Sequence, residues 1–170
     1  LNGSIAYVSG DRATEGVFQF WNIKNNILVA NLDRVKGKLL IDSGKANASA
    51  QEWYDKLKFR AEGIESNIMS LSGGNQQKVV LARWMMLDPD IIILDEPTRG
   101  IDIGAKTQIY HLMRELAKQG KAIIMISSEL PEVIGMSDNI VVMFEGKITG
   151  TLSGDGATQD EIMRYAENVG

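Results

Sequence analysis

The spacing of apolar residues changes character near residue 70. A short run, Ile5-Ala6-Tyr7-Val8, reads as a strand. Residues 16–70 are then polar and irregular, with an aromatic knot (Phe18, Phe20, Trp21), an asparagine-rich stretch over 22–31 and a Gly, Ser, Ala and Lys stretch over 37–50. Trp53, Leu57 and Ala61 stand four apart, so residues 50–61 predict a helix with one apolar stripe. This region predicts a small, mostly helical subdomain. From Leu71 onward helix and strand patterns alternate. A helix over 72–87 stops at Asp88-Pro89, because proline restricts the residue before it. Ile91 to Leu94 is a β-branched block without polar alternation, which predicts a strand covered on both faces. Ile109, Leu112, Met113 and Leu116 give a helix over 103–119 its apolar stripe, and Gly120 closes it. A strand over 122–126, a helix over 129–136, a strand over 140–144 turning at Glu145-Gly146 into 147–152, and a helix over 159–168 complete the pattern. Strands separated by helices predict an α/β fold with parallel pairing, its functional loops at the carboxyl ends of the strands. Asp95, Glu96, Ser127 and Ser128 are then expected on one rim.

Composition narrows the chemistry. The 170 residues include no cysteine and a single histidine, His111, which excludes disulfides, thiolate zinc sites and histidine metal clusters. With 18 basic and 22 acidic side chains the net charge is -4, which argues against nucleic acid as a partner. No apolar run is long enough for a membrane span and no leader pattern opens the chain, so an intracellular protein is expected. Leu1 stands directly before the first strand, which reads as the inside of a fold.

Two constellations could carry chemistry. The acids Asp95 and Glu96 close the Ile91–Leu94 strand, where a hard cation and a phosphate could be met by oxygen ligands. Asp95 would hold magnesium through water and Glu96 would polarise an attacking water. The string Leu71-Ser72-Gly73-Gly74-Asn75-Gln76-Gln77-Lys78 opens a helix: Ser72 can cap it, the glycines admit close approach, and the helix start attracts phosphate. A solvated acid pair and an ordinary serine cap are the plain alternatives for each motif taken alone.

Order and spacing join them. Leu71 to Lys78, then Leu94-Asp95-Glu96-Pro97-Thr98, then Arg99-Gly100-Ile101-Asp102 resemble the signature motif, Walker B strand and D-loop of an ATP-binding cassette (ABC) ATPase. With Ser127-Ser128-Glu129-Leu130-Pro131-Glu132, they resemble more narrowly the C-terminal cassette of the ATP-binding subunit of bacterial monosaccharide importers, the ribose and galactose type. The resemblance runs from about Ile5 to Tyr165. It implies a P-loop NTPase-like sheet flanked by helices, with residues 1–15 and 89–170 in the ATPase core and 16–88 forming the helical signature subdomain. It further implies ATP and Mg2+ as cofactors. The implied partners are a second cassette, an integral-membrane permease and, indirectly, a periplasmic sugar-binding protein, with the protein peripheral on the cytoplasmic side of the inner membrane. Ser72, Gly73, Gly74 and Asn75 would touch the γ-phosphate of a nucleotide held by the partner cassette, and Asp102 would pass information across the contact. Asp95 and Glu96 would serve the nucleotide of this cassette's own P-loop.

The pattern departs from the family in three places. A G-x-x-x-x-G-K-[ST] loop is absent: Gly37-Lys38, Gly44-Lys45, Gly120-Lys121 and Gly146-Lys147 are followed by Leu39, Ala46, Ala122 and Ile148. Ser9-Gly10-Asp11-Arg12 stands where the family has a glutamine after the first strand, and Ser128 stands at the switch histidine. A hydroxyl cannot supply the charge-assisted contact of an imidazolium. His111 is read as a solvated or packed helix residue. These departures predict a fragment whose own ATP site is weak, which is inactive in isolation and which donates its signature motif to another cassette. A stand-alone non-hydrolysing binding module and a non-transport ABC ATPase are the alternatives.

Overall fold

The computed structural model describes residues 4–38 and 40–167, so Leu1 lies outside the described residues. The chain divides into two compact units, Leu1–Ile124 and Met125–Gly170.

In the first unit, β1 (Ile5–Val8), β2 (Ile91–Asp95) and β3 (Ala122–Ile126, running on into the second unit) form one sheet in the order β1-β2-β3. β1 and β2 are parallel, with Tyr7 opposite Ile93. Ala6, Val8, Ile92 and Leu94 point to the buried face, and each fully buried Ile or Leu contributes about 1.5–3 kcal/mol. The opposite face is open. Ile5 is 62% and Tyr7 49% exposed, and Ile91 and Ile93 are half-buried. The expectation that the isoleucine block is covered on both faces is therefore corrected: β-branching suits any pleated backbone and signals a strand without signalling two-sided burial.

The α-helices of this unit among the described residues are α1 (Ile23–Leu28), α2 (Ser43–Lys56), α3 (Gly73–Met85) and α4 (Ile103–Lys118). α3 packs against β1, α1, and α4, with Val79, Val80, Leu81, Ala82 and Met85 buried. Its end is set by Asp88, which takes a left-handed φ of 55° just before Pro89. α4 buries Ile109, Met113 and Leu116 as its spacing predicts, and leaves His111 exposed. α2 starts earlier than the predicted 50–61. Asp42 accepts hydrogen bonds from the backbone N–H of Gly44 (2.9 Å) and Lys45 (3.1 Å), and this cap nucleates the helix through a first turn that contains Gly44. Its stripe is Ala46, Ala50 and Trp53, while Leu57 already lies past the last turn, where Lys58 turns to a φ of 50°.

The asparagine-rich stretch, irregular by pattern, holds α1 and a buried polar network. Asn26 accepts from the Phe18 N–H (2.8 Å) and from Arg83 Nη2 (3.1 Å), and donates to the carbonyls of Phe18 and Asn22 (both 3.0 Å). Arg83 Nε also donates to the Asn26 carbonyl at 2.7 Å, and Asn31 donates to the Arg83 carbonyl at 2.7 Å. Burial pushes the Arg83 guanidinium down to about 10, which leaves it cationic at neutral pH. Asn26→Leu strands a backbone donor and part of this cation in a dry site. It is expected to cost about 2–3 kcal/mol in denaturant unfolding, and an unchanged midpoint would show that water replaces the amide.

In the second unit, β4 (Asn139–Phe144) and β5 (Lys147–Ser153) form an antiparallel hairpin, so β4 pairs outside the parallel sheet. The two-residue turn is Glu145 (φ 45°) and Gly146 (φ 78°), the left-handed pair that matches strand twist in a hairpin. The helices α5 (Leu130–Met136) and α6 (Gln159–Ala166) supply the remaining core around Ile140, Val142 and Ile162. Thr158 and Glu161 form a reciprocal cap at the start of α6. The predicted last position of that helix, Asn168, lies outside the described residues.

Candidate functional site

The signature string is placed by the start of α3. Ser72 occupies the N-cap position and is exposed, yet its side chain makes no capping bond to the helix backbone. The expected serine cap is thus not made. The hydroxyl instead accepts from Asn75 Nδ2 at 3.1 Å, so Asn75 stands behind Ser72, 8% exposed, and orients it. A helix start whose side chain does not cap it keeps backbone N–H groups for an anion. Gln76 donates to the carbonyls of Ile68 (3.3 Å) and Leu71 (3.2 Å), tying the preceding loop to the helix. Lys78 is buried and donates to the Leu57 carbonyl at 3.0 Å; burial lowers the pKa of its ammonium. It joins α3 to the end of α2 and does not face outward.

Gly74 is required by the approach of α4. A Cβ there would stand 2.3 Å from the Ala105 Cβ and 3.7 Å from Asp102 Oδ2. Asp102 in turn caps α4, accepting from the Ala105 N–H at 2.9 Å. The signature string and the D-loop residues Gly100 and Asp102 are therefore brought together. Gly73 opens a second space: a Cβ there would meet the end of the Arg12 side chain at 2.9 Å and the Gly100 carbonyl at 3.6 Å. Arg12 Nε is buried without a hydrogen-bond partner, and burial lowers the pKa of the group.

The acids lie at the end of β2. Asp95 Oδ2 accepts from the Tyr7 hydroxyl of β1 at 3.1 Å, and that hydrogen bond is the leading reason the Tyr7 pKa is raised. Glu96 adopts a φ of 43°, a left-handed conformation that costs a non-glycine residue energy and is found at functional turns. Gly10 packs on this corner, where a Cβ would lie 3.1 Å from the Asp95 carbonyl oxygen and 3.2 Å from the Glu96 Cβ. Ser9 lies beside the Tyr7 hydroxyl, and its own hydroxyl donates to Glu15 Oε2 at 2.5 Å. Among the described residues no three His, Cys, Asp or Glu side chains gather as a metal cage. A single strand-end carboxylate nevertheless fits magnesium, which takes one or two carboxylates and completes its shell with phosphate and water. Asp95 is the carboxylate at that strand end.

Ser128 belongs to the second unit and is exposed. Its neighbour Ser127 donates to the buried Glu132 at 2.6 Å and accepts from the Glu129 N–H at 3.0 Å, which fixes the loop leading into α5. Sequence reasoning missed Tyr7, Gly10 and Arg12. Parallel register could have indicated Tyr7, since Asp95 lies two residues past its pairing partner, whereas the positions of Gly10 and Arg12 depend on packing between segments distant in sequence.

The aromatic knot is exposed. Phe18 and Trp21 stack at 4.5 Å between ring centroids, Arg83 lies over Phe18 at 5.3 Å, and Phe20 is 95% exposed.

Comparison with known proteins places this geometry. The model of the ABC transporter family matches residues 2–99. The ribose import ATP-binding protein RbsA of Halalkalibacterium halodurans is 50% identical over 162 residues, covering 95% of this chain and 32% of that protein. The L-arabinose transport ATP-binding protein AraG of Geobacillus stearothermophilus is 46% identical, covering 96% of this chain and 32% of that protein. The galactose/methyl galactoside import ATP-binding protein MglA of Clostridium tetani is 44% identical, covering 95% and 32%. The chain thus spans about a third of the length of the curated relatives it matches. Among solved structures, a metal-chelate-type ABC transporter in an inward-facing conformation superposes with a TM-score of 0.79 at 18% identity, covering 98% of this chain and 64% of that one. The ATP-binding cassette MJ0796, a dimer bound to ADP and Pi, gives a TM-score of 0.73 at 18% identity, covering 91% and 65%. The α/β architecture is that of these cassettes, and the chain belongs to the ABC transporter family.

Proposed function

We propose that this chain is part of the ATP-binding subunit of a bacterial monosaccharide importer, and that within it the signature motif completes the ATP site of a second cassette. The observation that carries the reading is the packing of Gly74 on Ala105 beside the Asp102 cap, which presents the exposed Ser72 and the D-loop as one surface. Names of relatives that import ribose, arabinose and galactose support sugar transport. In this reading Ser72, Gly73 and Gly74 meet the γ-phosphate, while Asn75 orients Ser72. Asp102 holds the start of α4 at the contact. Asp95 would hold Mg2+ through water, and Glu96 stands where it would polarise water in this cassette's own site.

That own site is degenerate. In this reading Ser9-Gly10-Asp11-Arg12 stands in place of the family's glutamine, with Ser9 engaged by Glu15, and Ser128 stands in place of its switch histidine. The isolated chain therefore turns over no ATP, and the productive site of the assembly lies with the second cassette. The exposed aromatic patch of Phe18, Phe20 and Trp21 is the surface for the membrane permease, since aromatic side chains are enriched at interfaces. The assembled subunit sits on the cytoplasmic face of the inner membrane, with a periplasmic sugar-binding protein delivering substrate to the permease. Among the described residues no helix is long and apolar enough to cross a membrane.

The test is Glu96→Gln in the full-length protein reconstituted with its permease. ATP turnover is expected to stay within about twofold of the unsubstituted protein, because the interaction removed belongs to a site that contributes little. Loss of turnover would show that this cassette hydrolyses ATP itself.

A further inference from the structure

We propose that Tyr7 is a positioning residue for the Asp95 carboxylate: its hydroxyl holds Oδ2 so that the other carboxylate oxygen is presented to the magnesium shell. The inference rests on the assignment of Asp95 as the metal-facing acid under the proposed function.

The geometry follows from strand register. Tyr7 pairs with Ile93 across the parallel β1–β2 ladder, and Asp95 lies two residues further along on the same face. Two residues of a parallel strand span about 6.6 Å, the reach of a tyrosine side chain laid along the sheet. Tyr7 therefore meets the carboxylate end-on, and its hydroxyl donates to Oδ2 at 3.1 Å. A shorter side chain at position 7 would not reach. No described residue makes a hydrogen bond to Asp95 Oδ1. One oxygen is tethered and the other remains available.

Tyr7 is the described side chain seen donating to the Asp95 carboxylate. The residue at the position that follows the strand, Ser9, donates its proton to Glu15 at 2.5 Å and accepts from the Asp11 N–H at 3.2 Å. Gly10 crowds the Asp95 carbonyl, which fixes the backbone of the corner but not the rotation of the carboxylate. An unanchored carboxylate samples rotamers, and only some of them face a cation. Outer partners that orient a ligand raise metal affinity about 10–100-fold in other sites. In this proposal Tyr7 acts through Asp95.

The experiment uses the full-length protein with Mn2+ as a spin probe and a non-hydrolysable ATP analogue. The Mn2+ signal lost in Asp95→Ala defines this site. Tyr7→Phe is expected to weaken that Asp95-dependent binding about tenfold. In protein labelled at tyrosine Cζ, the Tyr7 resonance is expected to shift in Asp95→Asn, and this second measurement does not depend on whether Tyr7→Phe folds. Unchanged Mn2+ affinity in a folded Tyr7→Phe protein, or an unmoved Tyr7 resonance in Asp95→Asn, overturns the role of Tyr7 alone. Absence of any Asp95-dependent Mn2+ signal in the unsubstituted protein overturns the metal assignment of Asp95, and the Tyr7 role with it.

Discussion

Ser72→Arg in the full-length protein is expected to lower ATP turnover at least a hundredfold, the loss seen when one oxyanion donor is removed from a preorganised site. Ser72 is exposed at the N-cap of α3, so a long side chain there can extend outward from the helix start. The intrusion falls on whatever the signature motif faces. The guanidinium would occupy the space of the γ-phosphate, and the Asn75 amide would lose the hydroxyl it now contacts at 3.1 Å. Steady-state hydrolysis by the reconstituted transporter reads the effect, and circular dichroism of the same variant should match the unsubstituted protein. Turnover within twofold of normal would remove the signature motif from the productive site.

Gly74→Ala should be the most damaging single methyl in the first unit. The added carbon would lie 2.3 Å from the Ala105 Cβ, and Ala105 is held in place through its own N–H by Asp102 at 2.9 Å. Neither helix start can yield without moving the other. Overpacking of this kind costs about 1–3 kcal/mol where side chains can shift, and the upper end applies where only backbone can. We expect a stability loss of about 3 kcal/mol together with loss of turnover. Ala105→Gly removes the opposing carbon and should restore much of both, giving a coupling energy of at least 1 kcal/mol in a double-mutant cycle. Gly73→Ala is the contrasting case, because its carbon would meet only the end of the Arg12 side chain. A cycle that shows strictly additive effects for Gly74 and Ala105 would mean that the helices separate freely.

Much of the fold is legible in the sequence where the signal is local. The stripe of α4, the stop of α3 before Pro89, and the Glu145-Gly146 turn all follow from residue type and spacing. The α/β architecture follows from the alternation of such elements. What could not be read depends on long-range contact. The Asn22–Asn31 stretch has the composition of a loop, but Asn26 is fully buried because Arg83, far along the chain, supplies its partner. The isoleucines of β2 look symmetric in sequence, yet one row is buried and the other half-open. At the candidate site the motif residues were named by resemblance. Their supports, Tyr7, Gly10 and Arg12, were not, since each is defined by what another segment brings within reach.

Arg83 has a mechanical consequence. It sits in the last turn of α3, clamps Asn26 of α1 and lies over Phe18 of the aromatic patch, while the first turn of the same helix carries Ser72 and Gly74. Thirteen helical residues make a rod about 20 Å long. The patch and the signature motif are then opposite ends of one stiff lever, and a tilt of about 5° at one end carries the other through roughly 1.7 Å over that length. Because Gly74 packs on Ala105, any tilt of α3 driven from the aromatic end would have to carry the start of α4 with it.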